Sequence, residues 1–358
     1  MRVIAGIAGV ALIALMLSEF FVTFLLPRRV RRDPRIARGL NRLLWLPWRA
    51  AAARLAPATA DTILGFFGPL ALLSQLLTWT LGLLFGYALL EWAVGGGSFA
   101  DRILFSSGLF VSAGATGGSY GLRIVELVEA ATGVGVLFIV IGYMPAVYTA
   151  FSRRETAVSQ LATRAGSPPA AGALLHRAIG KQHWRELERE LRSWEEWAAE
   201  LMETHLSYPL LSYYRSQHVN QNWLAALTAM VDVAAFVKAT APDGKVVAAD
   251  VTFDIGRHAL ADLALQFRLE PGPVDRLSDA DFHELYSIVE EAVDDAFSRE
   301  ESARRLDDLR RRYEPNAQAL ARFLALDLPP WLPGGGDERA SVRQPGVGIA
   351  GDGRDLVG

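Results

Sequence analysis

Three long apolar runs, at residues 3–26, 62–92 and 124–151, dominate the first 150 residues of the chain. A helix needs about 20 residues to cross the hydrocarbon core of a bilayer, and each run is longer than that. Backbone hydrogen bonds must be satisfied within such a segment, so the sequence predicts three spanning helices. A signal peptide is the competing interpretation of the first run, but no small-residue cleavage site follows it.

Charged residues separate this apolar part from the remainder of the chain. Hydrophobic residues make up 51% of the 358 residues; roughly the first 150 contain few acidic residues, whereas roughly the last 200 are rich in Glu, Asp and Arg. We interpret the chain as a membrane part followed by a soluble helical part. The formal net charge of −3 gives no indication of a nucleic-acid partner, and the absence of cysteine excludes disulfides and thiolate metal sites. The sequence contains no Walker motif and no HExxH zinc signature, so we predict neither an enzyme nor a bound cofactor.

Arginine residues indicate the orientation of the predicted helices. They cluster between residues 28 and 54 and recur at Arg153 and Arg154, and basic loops stay on the cytoplasmic side. Both clusters fit a multi-pass cell-membrane protein with its N-terminus outside and its C-terminal domain in the cytoplasm. The predicted parts are an N-terminal transmembrane helix (1–27), a basic cytoplasmic loop (28–61), a second membrane module (62–155), a cytoplasmic α-helical domain (156–328) and a disordered tail (329–358).

The segment between the second and third runs has two unusual parts. Residues 101–112 are apolar but form only about three helical turns, too few to cross a bilayer. Residues 111–123, VSAGATGGSYGLR, are rich in glycine and carry a single charge, on Arg123. Irregular backbone at membrane depth persists only where it is buried in protein or faces water. We therefore predict a short re-entrant helix and a segment that aims carbonyl and hydroxyl oxygens at an ion; the competing interpretation is a tightly packed turn.

A span, a short helix, a glycine-rich segment and another span together resemble the two-helix pore module of the potassium-channel superfamily, over about residues 62–155. The third run resembles the inner helix of bacterial members, in which a glycine or proline lets the helix bend. The resemblance implies an all-α membrane protein that passively conducts potassium or another monovalent cation, with the ion as its only ligand. One pore segment per chain implies a homotetramer in the lipid bilayer. The residues at which the inner helix could bend are Gly133, Gly135, Gly142 and Pro145.

The filter of that superfamily reads Thr-x-Gly-Tyr-Gly, and three registers compete for it here. One aligns Thr116-Gly117-Gly118 with Thr-x-Gly, and another aligns Tyr120-Gly121 with Tyr-Gly. The third, which we prefer, aligns Ser112-Ala113-Gly114 with Thr-x-Gly. No register supplies the aspartate that usually follows, so the alternative is a non-conducting membrane scaffold or sensor that keeps the channel fold. The filter candidates are Ser112, Ala113, Gly114, Ala115, Thr116, Gly117, Gly118, Ser119, Tyr120 and Gly121.

Acidic residues within the apolar runs are candidates for functional roles. We place Glu19 near the cytoplasmic interface, within reach of the arginines that follow Pro27. Glu126 and Glu129 begin the third run. There they either attract cations to an outer mouth or, in the case of Glu126, pair with Arg123 one turn away.

The soluble part is predicted to be helical throughout. Residues 181–206 carry apolar residues at a 3-4 spacing, which suits either a coiled-coil seam between subunits or, as we prefer, a helix within a bundle. The apolar stretch that ends at residue 239 should form the central buried helix. His205 and His218 lack a recognisable third metal ligand, so we assign them capping or core roles.

Overall fold

A computed structural model of the protein describes residues 1–24, 36–109, 119–179, 183–218, 220–242, 246–293 and 295–333. The regular structure of these ranges is helical, without a β-strand, which confirms the predicted all-α class for them. A 3-10 helix, Pro209–Tyr213, lies between α8 and α9. The α-helices are α1 (Arg2–Phe24), α2 (Ile36–Ala52), α3 (Pro57–Gly65), α4 (Phe67–Gly95), α5 (Phe99–Leu109), α6 (Tyr120–Ala165), α7 (Ala171–Ala178), α8 (Trp184–Ser207), α9 (Trp223–Thr240), α10 (Val247–Phe267), α11 (Asp279–Ala292), α12 (Arg299–Arg310) and α13 (Glu314–Leu324).

Within the described ranges, four helical stretches are long and apolar enough to cross a membrane: Arg2–Thr23, Pro57–Gly95, Tyr120–Ala165 and Trp223–Thr240. The first three contain the apolar runs of the sequence, and most of their residues are not buried by the rest of the chain. In the fourth, α9, 94% of the residues are buried by neighbouring helices, as in the core of a soluble domain. The exposed apolar helices are compatible with a multi-pass membrane protein.

Small residues allow α1 and α4 to pack closely against each other. A Cβ atom added at Gly9 would lie only 2.6 Å from the carbonyl oxygen of Gly86, and one at Gly82 would lie 2.4 Å from the sulfur of Met16. Glycines spaced four residues apart permit this approach in membrane helices. The contact continues toward the C-terminal end of α1, where the Phe20 and Trp79 rings meet edge to face at 5.7 Å. The first run therefore forms a helix that packs closely on the second run.

The third run and the first helix of the soluble part form one continuous helix, α6, which contains 46 residues. The charges of Arg153 and Arg154 suggested an end to the span, but the helix continues past them for about three turns. It ends where Gly166 takes a φ of +88°, as the Gly-Ser-Pro-Pro sequence predicted. The boundary that we predicted between residues 155 and 156 therefore falls inside a helix.

The C-terminal domain is built around α9, as its apolar sequence predicted. The apolar face of α8 is buried inside the same chain, including Leu187, Leu191 and Leu201, so α8 is a bundle helix rather than an exposed seam. His205 is fully buried, and its Nδ1 lies 2.8 Å from the carbonyl oxygen of Leu201. Burial, followed by the charge of Arg154, lowers the pKa of His205 to about 3. His205 is thus a neutral core residue, and the described residues contain no acidic or histidine cluster that could hold a metal.

The segment that we predicted as a basic loop contains two helices that pack on this domain. Trp45 of α2 is buried against Phe67 and Tyr213, and its indole Nε1 donates a 2.8 Å hydrogen bond to the carbonyl oxygen of Phe323. Arg49 donates a 2.6 Å hydrogen bond to the carbonyl oxygen of Arg322. One hydrophobic core therefore runs from α2 and the start of α4 into the C-terminal domain.

The domain extends slightly beyond residue 328, where we predicted its end. Trp331 is 1% exposed, and its carbonyl oxygen accepts a 2.7 Å hydrogen bond from the backbone of Gly172. Residues 334–358, which make up most of the predicted disordered tail, lie outside the described residues.

Candidate functional site

A sharp glycine turn connects α4 to the short helix α5. Gly96 and Gly97 have φ angles of +67° and +82°, which favour glycine because a Cβ atom is strained there. The turn is closed by Trp92 Nε1, which donates to the carbonyl oxygen of Gly97 at 3.1 Å, and by Arg102 Nε, which donates to that of Gly96 at 3.2 Å. The glycine triplet in the sequence predicted this break. As a result, α5 starts at the end of α4 and reverses direction.

The short helix α5 folds back alongside α4. Ser106 Oγ lies 3.3 Å from the carbonyl oxygen of Leu84, within hydrogen-bonding distance. Leu84 precedes the last residue of α4, Gly95, by 11 residues (95 − 84), which is about 16 Å along a helix. The eleven residues of α5 therefore run antiparallel to the last three turns of α4.

Three glutamates are buried where α4, α5 and α6 meet. Glu91, Glu126 and Glu129 are at most 1% exposed. The Ser106 hydroxyl on α5 hydrogen-bonds to Glu129 Oε1 on α6. Glu91 and Glu129 interact with each other, and no other group of the described protein hydrogen-bonds to Glu91 or to Glu129 Oε2. We call Glu91, Glu126, Glu129 and Ser106 the carboxylate cluster.

A second polar contact lies one turn below the carboxylate cluster. The hydroxyls of Tyr87 on α4 and Thr132 on α6 are 2.7 Å apart, and Thr132 also donates to the carbonyl oxygen of Val128 at 2.8 Å. Burying polar groups is costly unless they are hydrogen-bonded. This layer and the carboxylate cluster therefore fix the register of α4 against α6.

The sequence only partly predicted this site. The spacing of Glu126 and Glu129 places them on one face of a helix, and the sequence left two roles open: attracting cations to an outer mouth or, for Glu126, pairing with Arg123. In the structure both side chains are buried between helices. Glu91 went unnoticed as a partner, since it lies 38 residues before Glu129 (129 − 91) and pairs with it only through the fold.

The structure describes only the last three of the ten filter candidates. Ser119 caps α6: its Oγ accepts from the backbone of Leu122 at 3.4 Å, and its carbonyl oxygen accepts from that of Arg123 at 3.1 Å. Tyr120 and Gly121 form the first turn of α6. The register that starts at Thr116 continues through Ser119 and Tyr120, so both it and the Tyr120-Gly121 register assign filter positions to this turn. Carbonyl groups in a helix point along its axis into hydrogen bonds and not sideways toward an ion. Ser112, Ala113, Gly114, Ala115, Thr116, Gly117 and Gly118 lie outside the described residues.

Residues 117–121 also match the G-x-S-x-G pattern of serine hydrolases, but the surroundings differ. In those enzymes the serine projects from a strand-to-helix turn toward a histidine base. Here Ser119 caps a helix, and the six histidines of the chain all follow the apolar runs, between residues 176 and 283.

The four bend candidates all lie within the continuous helix α6. Gly133 is buried, whereas added Cβ atoms at Gly135 and Gly142 would meet no atom within 4 Å. Pro145 is exposed and lies inside the helix, where proline removes one backbone hydrogen bond. The structure therefore provides space at Gly135 and Gly142 and a weakened hydrogen-bond ladder at Pro145.

Polar residues also mark the opposite end of the apolar helices. Glu19 is 9% exposed and accepts a 3.0 Å hydrogen bond from the backbone of Ile36, the first residue of α2. Gln75 of α4 donates to the side-chain oxygen of Asn41 on α2 at 2.9 Å. Glu19 thus lies near the end of α1 and its described partner is a backbone group, while the arginines at 28–35 that we expected beside it lie outside the described residues.

Comparisons with known proteins supply no relative from which a role could be transferred. The chain matches no family model, no curated protein and no solved structure.

Proposed function

We propose that this chain is one subunit of a channel-like membrane protein through which potassium or another monovalent cation passes. In this proposal α1, α4 and α6 cross the bilayer, and α5 enters it from the outer side as a re-entrant pore helix. The observation that carries the proposal is the antiparallel contact of α5 with α4 through Ser106 and Leu84.

The depth of that contact supports re-entry. Ser106 is about 16 Å from the end of α4, roughly half of a 30 Å hydrocarbon core. If α5 lay flat on the membrane surface, it would contact only the last turn of α4. The carboxyl end of α5 carries a partial negative charge and is directed toward the membrane interior, where it favours cations.

Packing of the basic segment supports the proposed orientation. Because α2 shares a hydrophobic core with α13, the proposal puts the arginine-rich segment and the C-terminal domain on the same side of the membrane. Basic segments are retained in the cytoplasm, so both lie there in this proposal, with the N-terminus and the Gly95–Gly97 turn outside.

A pore of this kind needs several chains. Each chain supplies one short helix and one glycine-rich segment, whereas carbonyl filters surround the ion with equivalent segments. A homotetramer is the assembly that the proposal implies. Apolar side chains on the face of α6 away from α4 are exposed in the single chain, including Leu127, Val134 and Phe138, and are available to meet lipid or other subunits.

Cation flux from liposomes tests the proposal. The purified protein, reconstituted into potassium-loaded liposomes, should release potassium down its gradient and behave as a tetramer by native mass measurement. Gly114→Val should abolish the flux if the preferred register is correct, whereas Gly39→Val should not, because an added Cβ atom there meets open space. A monomeric protein without flux of any monovalent cation would contradict the proposal.

The second candidate function is a non-conducting membrane scaffold or sensor. It is favoured by the helical placement of Tyr120 and Gly121, which leaves no Tyr-Gly pair for a standard filter. In that case the tetramer would form, but neither Gly114→Val nor the unchanged protein would release potassium in the flux measurement.

A further inference from the structure

The segment that follows α8 touches every part of the protein that meets at the cytoplasmic end of the apolar helices. We call residues 208–215 the coupling segment; it includes the 3-10 helix Pro209–Tyr213. Its side chains pack on α4, α6 and α2, and its last residue binds α3 and the end of α13.

The contact with α4 depends on a glycine. A Cβ atom added at Gly68 would lie 2.5 Å from Cδ2 of Tyr214, which is closer than such atoms approach in proteins. The neighbouring Tyr213 ring lies 5.0 Å from that of Phe67, the first residue of α4. The coupling segment is therefore seated directly on the first turn of α4, without room for a larger residue at position 68.

The contact with α6 depends on a buried arginine. Arg154 is 3% exposed, and its guanidinium donates to the carbonyl oxygens of Leu211 at 2.8 Å and Tyr214 at 2.9 Å. Glu155 provides the counter-charge at 2.9 Å. The planar guanidinium can reach both carbonyls at once, whereas the ammonium of lysine is a single point of contact. Arg154 thus fixes the coupling segment to α6 through the backbone.

The contact with the C-terminal domain is made by Arg215. Its Nη2 donates to the carbonyl oxygens of Leu324 at 3.0 Å and Ala325 at 2.7 Å, where α13 ends. Its Nη1 forms a 3.3 Å ion pair with Asp61 of α3. A displacement of the end of α13 therefore acts on the same segment that holds α4 and α6.

We propose that the coupling segment sets the positions of the cytoplasmic ends of α4 and α6, and that it transmits movements of the C-terminal domain to them, with Arg154 as the positioning residue. Its effect on conduction rests on the proposed function; its effect on helix position does not. The coupling segment bridges α4 and α6 at this end, so its position determines how far the two helix ends separate.

A disulfide can lock the segment onto the end of α3, which directly precedes α4. An added Cβ atom at Gly65 lies 3.8 Å from Cβ of Arg215, within the range of disulfides. The chain has no cysteine, so the double substitution Gly65→Cys with Arg215→Cys introduces the only thiols. Oxidation in proteoliposomes should cross-link the pair rapidly, and the cross-link should change the potassium flux at least several-fold, with full reversal on reduction.

The Gly68–Tyr214 contact supplies matched variants for the cross-linking experiment. Gly68→Ala in the double-cysteine chain should slow cross-linking several-fold, because the methyl group displaces the Tyr214 ring. Tyr214→Ala added to Gly68→Ala should restore the rate, and Gly39→Ala should leave it unchanged. Size-exclusion profiles identify any variant that fails to fold. If Gly68→Ala is one, Tyr214→Ala with and without Gly68→Ala serves as the second test: the two chains should cross-link at the same rate, because the methyl group then has no ring to displace.

The outcomes separate the two proposals. Cross-linking that is slow in the parent pair, or unaffected by Gly68→Ala, would overturn the coupling segment as a bridge. Efficient cross-linking with an unchanged flux would overturn its role in transmission. If no chain conducts, the proposed function fails. The coupling segment is then tested by the distance between spin labels at Leu73 on α4 and Tyr148 on α6, measured with and without the cross-link. A change in that distance supports the bridge, and an unchanged distance overturns it.

Discussion

At the scale of single residues, the carboxylate cluster is the most distinctive feature of the apolar helices. Carboxylates without partners are rarely buried, because the free energy of removing them from water exceeds the free energy of their contacts. Hydrogen bonds to the buried oxygens offset that cost. Here Ser106 on α5 and Glu129 on α6 form such a bond, next to the Leu84 carbonyl of α4. We infer that the cluster attaches the short helix to both long helices.

Truncating Glu129 should therefore loosen α5 more than neutralising it. Glu129→Ala leaves Ser106 without its side-chain partner and should lower the free energy of unfolding by about 1–3 kcal/mol. Glu129→Gln keeps an oxygen acceptor and should cost less. Thermal unfolding in detergent measures the difference. Equal losses for the two variants would contradict the attachment role.

Arg154 and its neighbour provide a matched pair on α6. Arg154 is buried on backbone carbonyls, whereas Arg153 makes an ion pair with Glu200 in which its side chain is 68% exposed. Arg154→Gln should lower the free energy of unfolding by about 3–5 kcal/mol, since it leaves Glu155 and two carbonyls without their partner. Arg153→Gln should cost at most about 1 kcal/mol. Comparable effects in chemical unfolding would show that Arg154 does not hold the coupling segment.

His205 should make the C-terminal domain sensitive to acid. Its folded pKa of about 3 lies below the ordinary value of 6.5, because burial and Arg154 disfavour its charged form. The stabilisation is complete above about pH 6.5 and is lost as the pH falls toward the folded pKa. His205→Gln should flatten the fall in unfolding free energy between pH 6.5 and 4, compared with the exposed control His218→Gln. An unchanged slope would contradict the assignment of His205 as a neutral core residue.

At the scale of elements, glycine residues predicted where helices end, whereas charged residues did not. Gly95–Gly97 and Gly166 end helices because positive φ angles are available to them. Arg153 and Arg154 do not end α6, because charge determines where a helix leaves the bilayer and not where it stops. Trp45 and Trp48 lie in a segment that we interpreted as a loop, and their spacing could have revealed the buried face of α2.

The weakened ladder of α6 at Pro145 gives a prediction about the inner helix. Pro145→Ala restores a backbone donor to the helix and should raise its stability, since proline inside a helix costs about 3 kcal/mol. If bending at this position opens the pore, the same variant should reduce potassium flux. Gly39→Ala, which adds a methyl group in open space within α2, is the control for helix propensity. Equal flux from Pro145→Ala and the unchanged protein would move the bend elsewhere.

At the scale of the whole molecule, the sequence predicted which parts are apolar and helical, and the fold determines how they meet. The composition change after residue 150 indicated two parts, but the shared core of Trp45, Phe67 and Tyr213 unites them across more than 160 residues of sequence (213 − 45). Contacts of that range leave no periodic pattern in the chain. The same reason explains why Glu91 and the coupling segment could not be recognised before the structure.

The depth of α5 in the bilayer tests the central claim most directly. Single spin labels at Asp101, Leu104 and Gly108, each introduced through cysteine in this cysteine-free chain, can be located relative to the lipid phosphates in nanodiscs by paramagnetic resonance. The re-entrant arrangement predicts that depth increases steadily from position 101 to position 108, by about 10 Å in total. Labels at one common shallow depth would place α5 on the membrane surface and contradict the proposed pore.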